Sequence, residues 1–305
     1  MSTAYLFPGQ GSQFVGMGRP FFENSQAART IFEQADELLG FSLSTLCFEG
    51  PEEALTNTAN QQPALFVTSI AALMAMREQA DKWPPADFVA GHSLGEFSAL
   101  VAAGSLSFAD GLKLVQRRGE LMKQAGEQQP GAMAAILALS LEQVETICTQ
   151  ASQEANAPVQ IANDNCPGQI VISGDASALE KAMQLAEASG ARKVIRLPIS
   201  VAAHSALMAT AAGAFSQLVD ETPIQPPQIP IIGNVSARPL RSVDEIRAEL
   251  KAQLTSAVRW TDSMNYLCEQ GVDTVIEIGA GNVLLNLMKR INRQVTRIKF
   301  ELDTE

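Results

Sequence analysis

The chain has 305 residues and a formal net charge of −11, with 33 acidic against 22 basic side chains. That balance argues against a nucleic-acid binder, which needs a basic face, while 46% hydrophobic residues suffice for one large domain, alone or carrying a smaller one. Cys47, Cys148, Cys166 and Cys268 lack any metal-ligand spacing and read as buried free thiols of a reducing compartment. With no basic leader in "MSTAYLFPGQ" and no apolar run long enough to span a bilayer, a cytoplasmic protein without a membrane partner is expected.

In chain order, "AYLFPG" predicts a short strand and "ENSQAARTIFEQADELLG" an amphipathic helix. Pro63 to Met76 predicts a mostly buried helix, "DFVAG" a buried strand, Glu96 to Ala103 a helix, and "FADGLKLVQRRGELMKQAG" another. Strand–helix alternation with continuous apolar strands implies a mostly parallel sheet covered on both faces. Between about Ala132 and Leu197 the pattern changes to βαββαβ, the ferredoxin-like split pair: "AMAAILAL", a helix capped by Ser140, "VQIANDN", "GQIVISG", "ASALEKAMQLAEASG" and "RKVIRL". Residues 131–197 are therefore expected to form an inserted subdomain, with 1–130 and 198–305 forming the core. "PQIPIIGNVS" and "VDTVIEIGAGN" predict two further strands, the second leading into the helix "VLLNLMKRI". From Lys289 to Lys299 the run holds Lys289, Arg290, Arg293, Arg297 and Lys299 and no acid. It is either a solvated helix end whose cations complement the dipole or a docking patch for an acidic partner.

Gly91-His92-Ser93-Leu94-Gly95 fits Gly-x-Ser-x-Gly between a strand and a helix, the setting of a nucleophile elbow. Glycines on both sides remove the Cβ atoms that would clash in a sharp turn, leaving the serine hydroxyl exposed at the positive end of the next helix. The bland alternative is a glycine-rich connection with a capping serine. A nucleophilic serine needs a base, and the chain offers only His92 and His204. Neighbouring side chains diverge at a sharp turn, so elimination favours His204, where an extended segment gives way to a helical pattern. On the helical projection of "GLKLVQRRGELM", Arg118 falls inside the arc of Leu114, Val115, Leu121 and Met122, with Arg117 on its flank. A guanidinium on an apolar face must meet an anion: either a structural ion pair or a substrate carboxylate held by two hydrogen bonds. "GAGNVL" at Gly279 lacks the third glycine and the downstream acid of a dinucleotide loop and is rejected.

"FPGQGSQ", "GHSLGE", "RRGELM", "NCPGQIVISG", "SVAAHSALM" and "EIGAGNVL" follow one another in the order and at about the spacing of the malonyl-CoA:acyl-carrier-protein transacylases. The chain resembles that family, fatty-acid enzymes and polyketide acyltransferases alike, over nearly its whole length. The resemblance implies an α/β fold with an α/β-hydrolase-like core and a ferredoxin-like subdomain. It implies a ping-pong reaction with Ser93 as the acylated nucleophile, His204 as its base, and the backbone N–H groups of Gln10 and Leu94 as the oxyanion hole. Arg118 would bind the malonyl carboxylate, with Met122 also in the substrate site. The main-chain carbonyl of Gln253 would orient the histidine, so no third acid is needed. Malonyl-CoA and a phosphopantetheinylated acyl carrier protein are the implied partners, the carrier docking near Arg290 and Arg293, and a monomer without metal or cofactor is expected. One departure is Ala203, before the histidine, where malonyl-selective members commonly carry serine or phenylalanine; it leaves extra room at the acyl pocket. Leu94 favours malonyl, since methylmalonyl-type members often carry glutamine there. The rivals are an acyl hydrolase, which would not need Arg118, and a binding module, which would not need Ser93 with His204.

Overall fold

The computed structural model describes residues 2–199 and 201–302, so Ser200, at the head of "SVAAHSALM", lies outside the described residues. Among the described residues ten strands form two sheets: β1 (Ser2–Phe7), β2 (Phe88–Gly91), β3 (Gly131–Leu137), β4 (Val159–Cys166), β5 (Gln169–Asp175), β6 (Lys193–Arg196), β7 (Ile231–Ile232), β8 (Pro239–Leu240), β9 (Val272–Glu277) and β10 (Thr296–Lys299). The larger sheet runs β10-β9-β1-β2-β7-β8 and is parallel except for the β7–β8 pair. Its central strands are buried on both faces, as continuous apolar runs require. The register pairs Phe7 with Gly91, which aligns the ends of β1 and β2 at one rim.

The second sheet runs β4-β5-β3-β6, entirely antiparallel, with helices Leu141–Ala155 and Ala176–Ala188 packed over a separate apolar cluster. Ser140 and Gln143 close a full capping box at the first of these helices. Strand β4 is tied to the loop before helix Trp260–Glu269 by Asp164 N–H to Val258 O and Val258 N–H to Ala162 O, both 2.9 Å. Among the described residues no helix is long and apolar enough to cross a membrane.

Several elements differ from the sequence expectation. The helix expected from Pro63 begins at Thr58, because the Asn57 side chain caps Ala59 N–H at 3.2 Å. Ser25 breaks the first predicted helix by capping Gln26–Leu39 at Ala28 N–H. "PQIPIIGNVS" pairs only at Ile231–Ile232, since its prolines cannot donate to a ladder. The basic run is not simply a helix end: the helix stops at Ile291, and Arg297 and Lys299 lie on edge strand β10.

Candidate active site

At the end of β2 the chain turns into helix Gly95–Ala102 with almost no room. A Cβ on Gly91 would sit 1.9 Å from the Gly95 carbonyl, and one on Gly95 would sit 2.0 Å from Phe7 O. Ser93, at the apex, has φ 49°, a left-handed conformation costly for a residue with a side chain. The turn is clamped by buried Asn234, whose Oδ1 accepts from Ser93 N–H (2.6 Å) while its Nδ2 donates to Gly91 O (2.7 Å).

Ser93 Oγ lies 2.8 Å from His204 Nε2. His204 also holds a left-handed backbone (φ 59°), fixed where Gln160 Nε2 donates to its carbonyl at 3.2 Å. Its Nδ1 faces two carbonyls, Gln253 O at 2.9 Å and Ser256 O at 3.1 Å. Only a protonated Nδ1 suits two acceptors, which leaves the Nε2 lone pair for the serine hydroxyl. Burial and the Arg118 charge push the imidazole down to about 3, so it is neutral near pH 7.

Arg118 is 1% exposed and lies beneath Ser93. Its Nη2 donates to Ser93 Oγ (3.1 Å) and Gln253 Oε1 (2.8 Å), and its Nη1 to Gln62 Oε1 (2.9 Å). It forms no ion pair with a carboxylate among the described residues, and its buried Nε–H meets no acceptor there. Burial lowers its pKa to about 10, which leaves it cationic at neutral pH. Of the two alternatives for this arginine, the structural ion pair is therefore absent. Arg117, by contrast, is exposed and pairs with Glu120.

A cleft of about 170 Å³ between the two sheets opens onto Ser93 and His204. Gln10 and Met122 line it, and Met122 Sδ accepts from Gln62 Nε2 at 3.0 Å. Leu94 caps the helix, and the N–H groups of Gly95, Glu96 and Phe97 after it turn back to His92 O, Ser93 O and Leu94 O. Ala203 lines the same wall. His92 faces the cleft too, but its Nε2 meets Asn165 Oδ1 at 2.8 Å and its ring packs 5.3 Å from Trp260. The second sheet contributes Asn163, Asn165, Gln169 and Val171.

Sequence reasoning missed Gln62, Glu96, Asn234, Gln160 and Ser256. Glu96 carried a signal, as a carboxylate inside a mostly apolar helix, whereas Gln62 sits in the polar first turns of its helix and carried none. Nor did Asn163: strict alternation would put it with Val159 and Ile161, and the register shift between Ile161 and Asn163 turns it to the cleft instead. Arg290, expected to be free for docking, reaches across to the second sheet, with Nη1 to Gln169 Oε1 (2.6 Å) and Nη2 to Pro167 O (3.0 Å). Arg293 is exposed.

A family model described as the acyl transferase domain matches residues 4–301. The chain is 48% identical over 295 residues to the malonyl CoA-acyl carrier protein transacylase of Bacillus subtilis (strain 168), covering 97% of this chain and 92% of that one. Among solved structures, the acyl-carrier-protein S-malonyltransferase of Bartonella henselae superposes with a TM-score of 0.94 at 42% identity, over 99% of this chain and 96% of that one. A malonyl-transacylase solved in complex with its type II PKS acyl-carrier protein superposes equally well, TM-score 0.94 at 37% identity, over 98% and 96% of the two chains. A match running from the first strand to the last, on a fold that presents a serine at a glycine-crowded turn, places this chain in the acyl transferase domain family.

Proposed function

We propose that the protein transfers a malonyl group from malonyl-CoA to the phosphopantetheine thiol of an acyl carrier protein, through an acyl-serine intermediate. The observation that carries this reading is the position of Ser93 Oγ, between a neutral imidazole at 2.8 Å and a guanidinium at 3.1 Å that has no carboxylate partner among the described residues. The first contact suits proton removal, and the second suits an acyl chain ending in a negative charge.

In the first half-reaction His204 Nε2 takes the Ser93 proton as Oγ attacks the thioester carbonyl. Negative charge grows on the carbonyl oxygen, toward the N–H groups of Gln10 and Leu94. The C–S bond then breaks, and the imidazolium returns its proton to the departing CoA sulfur. The Gln253 and Ser256 carbonyls at Nδ1 stabilise the imidazolium without a buried acid. In the second half the carrier thiol gives its proton to Nε2 and attacks the acyl-serine, and Ser93 recovers the proton as it leaves. Arg118 would hold the malonyl carboxylate through donors now directed at Ser93 Oγ or left without an acceptor, with Met122 beside it. Ala203 would widen the acyl pocket. Residues 131–197 act here as a ferredoxin-like subdomain closing the cleft against a core of 1–130 and 198–305, in a monomer. The carrier docks near Arg293, with Arg290 holding the seam between the sheets.

The test compares kcat/KM for malonyl-CoA and acetyl-CoA in the wild type and Arg118→Ala, alongside intact-mass detection of the acyl-enzyme. Breaking a buried charge pair costs on the order of 2–5 kcal/mol. The variant should lose roughly 30- to several-thousand-fold with malonyl-CoA and little with acetyl-CoA. Equal losses on both would make Arg118 structural, and a malonylated Ser93→Ala protein would end the nucleophile assignment.

A further inference from the structure

The supports of Ser93, His204 and Arg118 converge on one side chain. Gln253 is 1% exposed. Its main-chain carbonyl accepts from His204 Nδ1, its Oε1 accepts from Arg118 Nη2, and its Nε2 donates to Ser93 O at 3.0 Å. The remaining Nε2 hydrogen goes to Glu96 Oε2 in a short contact, while Glu96 Oε1 accepts from Asn234 N–H at 3.0 Å. Glu96 is fully buried, on a helix whose other buried residues are Gly95, Phe97, Ser98, Ala99, Leu100 and Ala102. A carboxylate there costs several kcal/mol unless its acceptors are used. Burial, with Glu249 adding to it, holds its pKa well above the usual carboxylate range, and the Asn234 N–H, the Gln253 amide and Arg118 act against that rise.

We propose that Glu96 is a positioning residue that fixes the direction of the Gln253 amide, and through it the attitude of Arg118 toward the substrate carboxylate. The inference rests on the malonyl reading above. A carboxamide can sit in its socket in two directions. In the observed one, both Nε2 hydrogens meet acceptors and Oε1 meets the guanidinium. In the other, the NH2 group would face a cation and the oxygen would face two acceptors, so every contact would be wrong. Ser93 O is already an acceptor for Glu96 N–H in the helix turn, and Glu96 supplies the second acceptor that makes the choice decisive. The arrangement also explains how a buried arginine does without a direct counter-ion. The nearest interacting carboxylate stands one amide away, close enough to favour the cation and too far to occupy its donors. A direct Glu–Arg pair would fill the fork that malonate needs.

The test uses Glu96→Gln, which keeps the shape but offers one acceptor and one donor where two acceptors are required. Rates are normalised to active sites titrated by acylation, so partial unfolding does not register. The ratio of kcat/KM for malonyl-CoA over acetyl-CoA should fall roughly 10- to 100-fold, the scale of a lost buried hydrogen bond to a charged group, mostly through KM for malonyl-CoA. In an Arg118→Ala background the same change should alter the ratio by less than about 2-fold, because residues acting through one another are not additive. Glu96→Asp, which keeps both acceptors a methylene further back, should fall between wild type and Glu96→Gln and serves if the latter folds poorly. An unchanged ratio per titrated site in both variants, or a full-sized effect without Arg118, overturns the proposal. A wild type with no malonyl preference would sink the substrate assignment first; a preference that survives undiminished in both Glu96 variants sinks this inference alone.

Discussion

The two sheets supply the cleft by different means. The parallel sheet contributes backbone geometry: β2 ends in a turn so tight that Gly91, Gly95 and Phe7 touch main chain to main chain, and Ser93 is held by that crowding and by Asn234. The antiparallel sheet contributes side chains: Gln169 and Val171 face the cleft, while Ile170 and Ile172 between and beyond them pack under the helices. That follows from the two-residue period of a strand with one face on a core. One region is therefore intolerant of a single added carbon, whereas the other can exchange wall residues and reshape the pocket without moving Ser93.

The largest expected effect tests that contrast. Gly95→Ala would force a carbon into Phe7 O, and the main chain on both sides has nowhere to go. We expect more than about 4 kcal/mol of destabilisation, the range reserved for severe strain or overpacking, seen as a collapse in Tm or loss of soluble protein. Ile172→Val in the antiparallel sheet, a change of one methyl in a fully buried position, should cost about 0.5–1.5 kcal/mol and leave kcat per titrated site unaltered. Comparable losses at the two sites would erase the distinction.

The histidines sharpen the comparison next, because His92 leans on the antiparallel sheet and His204 serves the elbow. His204→Ala should slow acylation by roughly 10²–10⁴-fold, the usual contribution of a positioned base, whereas His92→Ala should cost far less. Stopped-flow measurement of CoA release reads both, and a reversed order would exchange their roles. The pH profile offers a finer check. A base works only when deprotonated, so an ordinary histidine would lose activity as pH falls through 6.5. With His204 pushed down to about 3, kcat/KM for acetyl-CoA should stay level well below pH 6. Since the Arg118 charge is one cause of that depression, Arg118→Ala should move the acid limb upward. A limb near 6.5 in the wild type would mean that the imidazole is better solvated than its burial implies.

The smallest effect falls at the seam. Arg290→Ala removes two contacts to the β4–β5 turn at an exposed site and should change stability by no more than about 1 kcal/mol. Arg293→Glu should raise KM for the carrier protein but not for malonyl-CoA, with the difference fading at high salt as screening shortens the reach of exposed charges. Equal effects on both substrates would remove Arg293 from the docking surface.

The sequence alone determined the parts governed by short-range rules. Two glycines around a serine, between an apolar strand and a helix, could only be a tight turn, and the continuous apolar strands required a parallel sheet. A guanidinium on the apolar arc of helix Phe108–Gln128 had to be buried, as Arg118 is. The split βαββαβ pattern was likewise legible, because alternation and capping act within a few residues. What tertiary structure decided is everything that depends on two distant segments meeting. Asn234 clamps a turn 141 residues away, Gln253 reaches Ser93 across 160, and a bulge in β4 chooses which face carries Asn163. No local period encodes such meetings. Buried polar groups far apart in the chain must find one another once water is excluded, and only the packed fold specifies which pairs do.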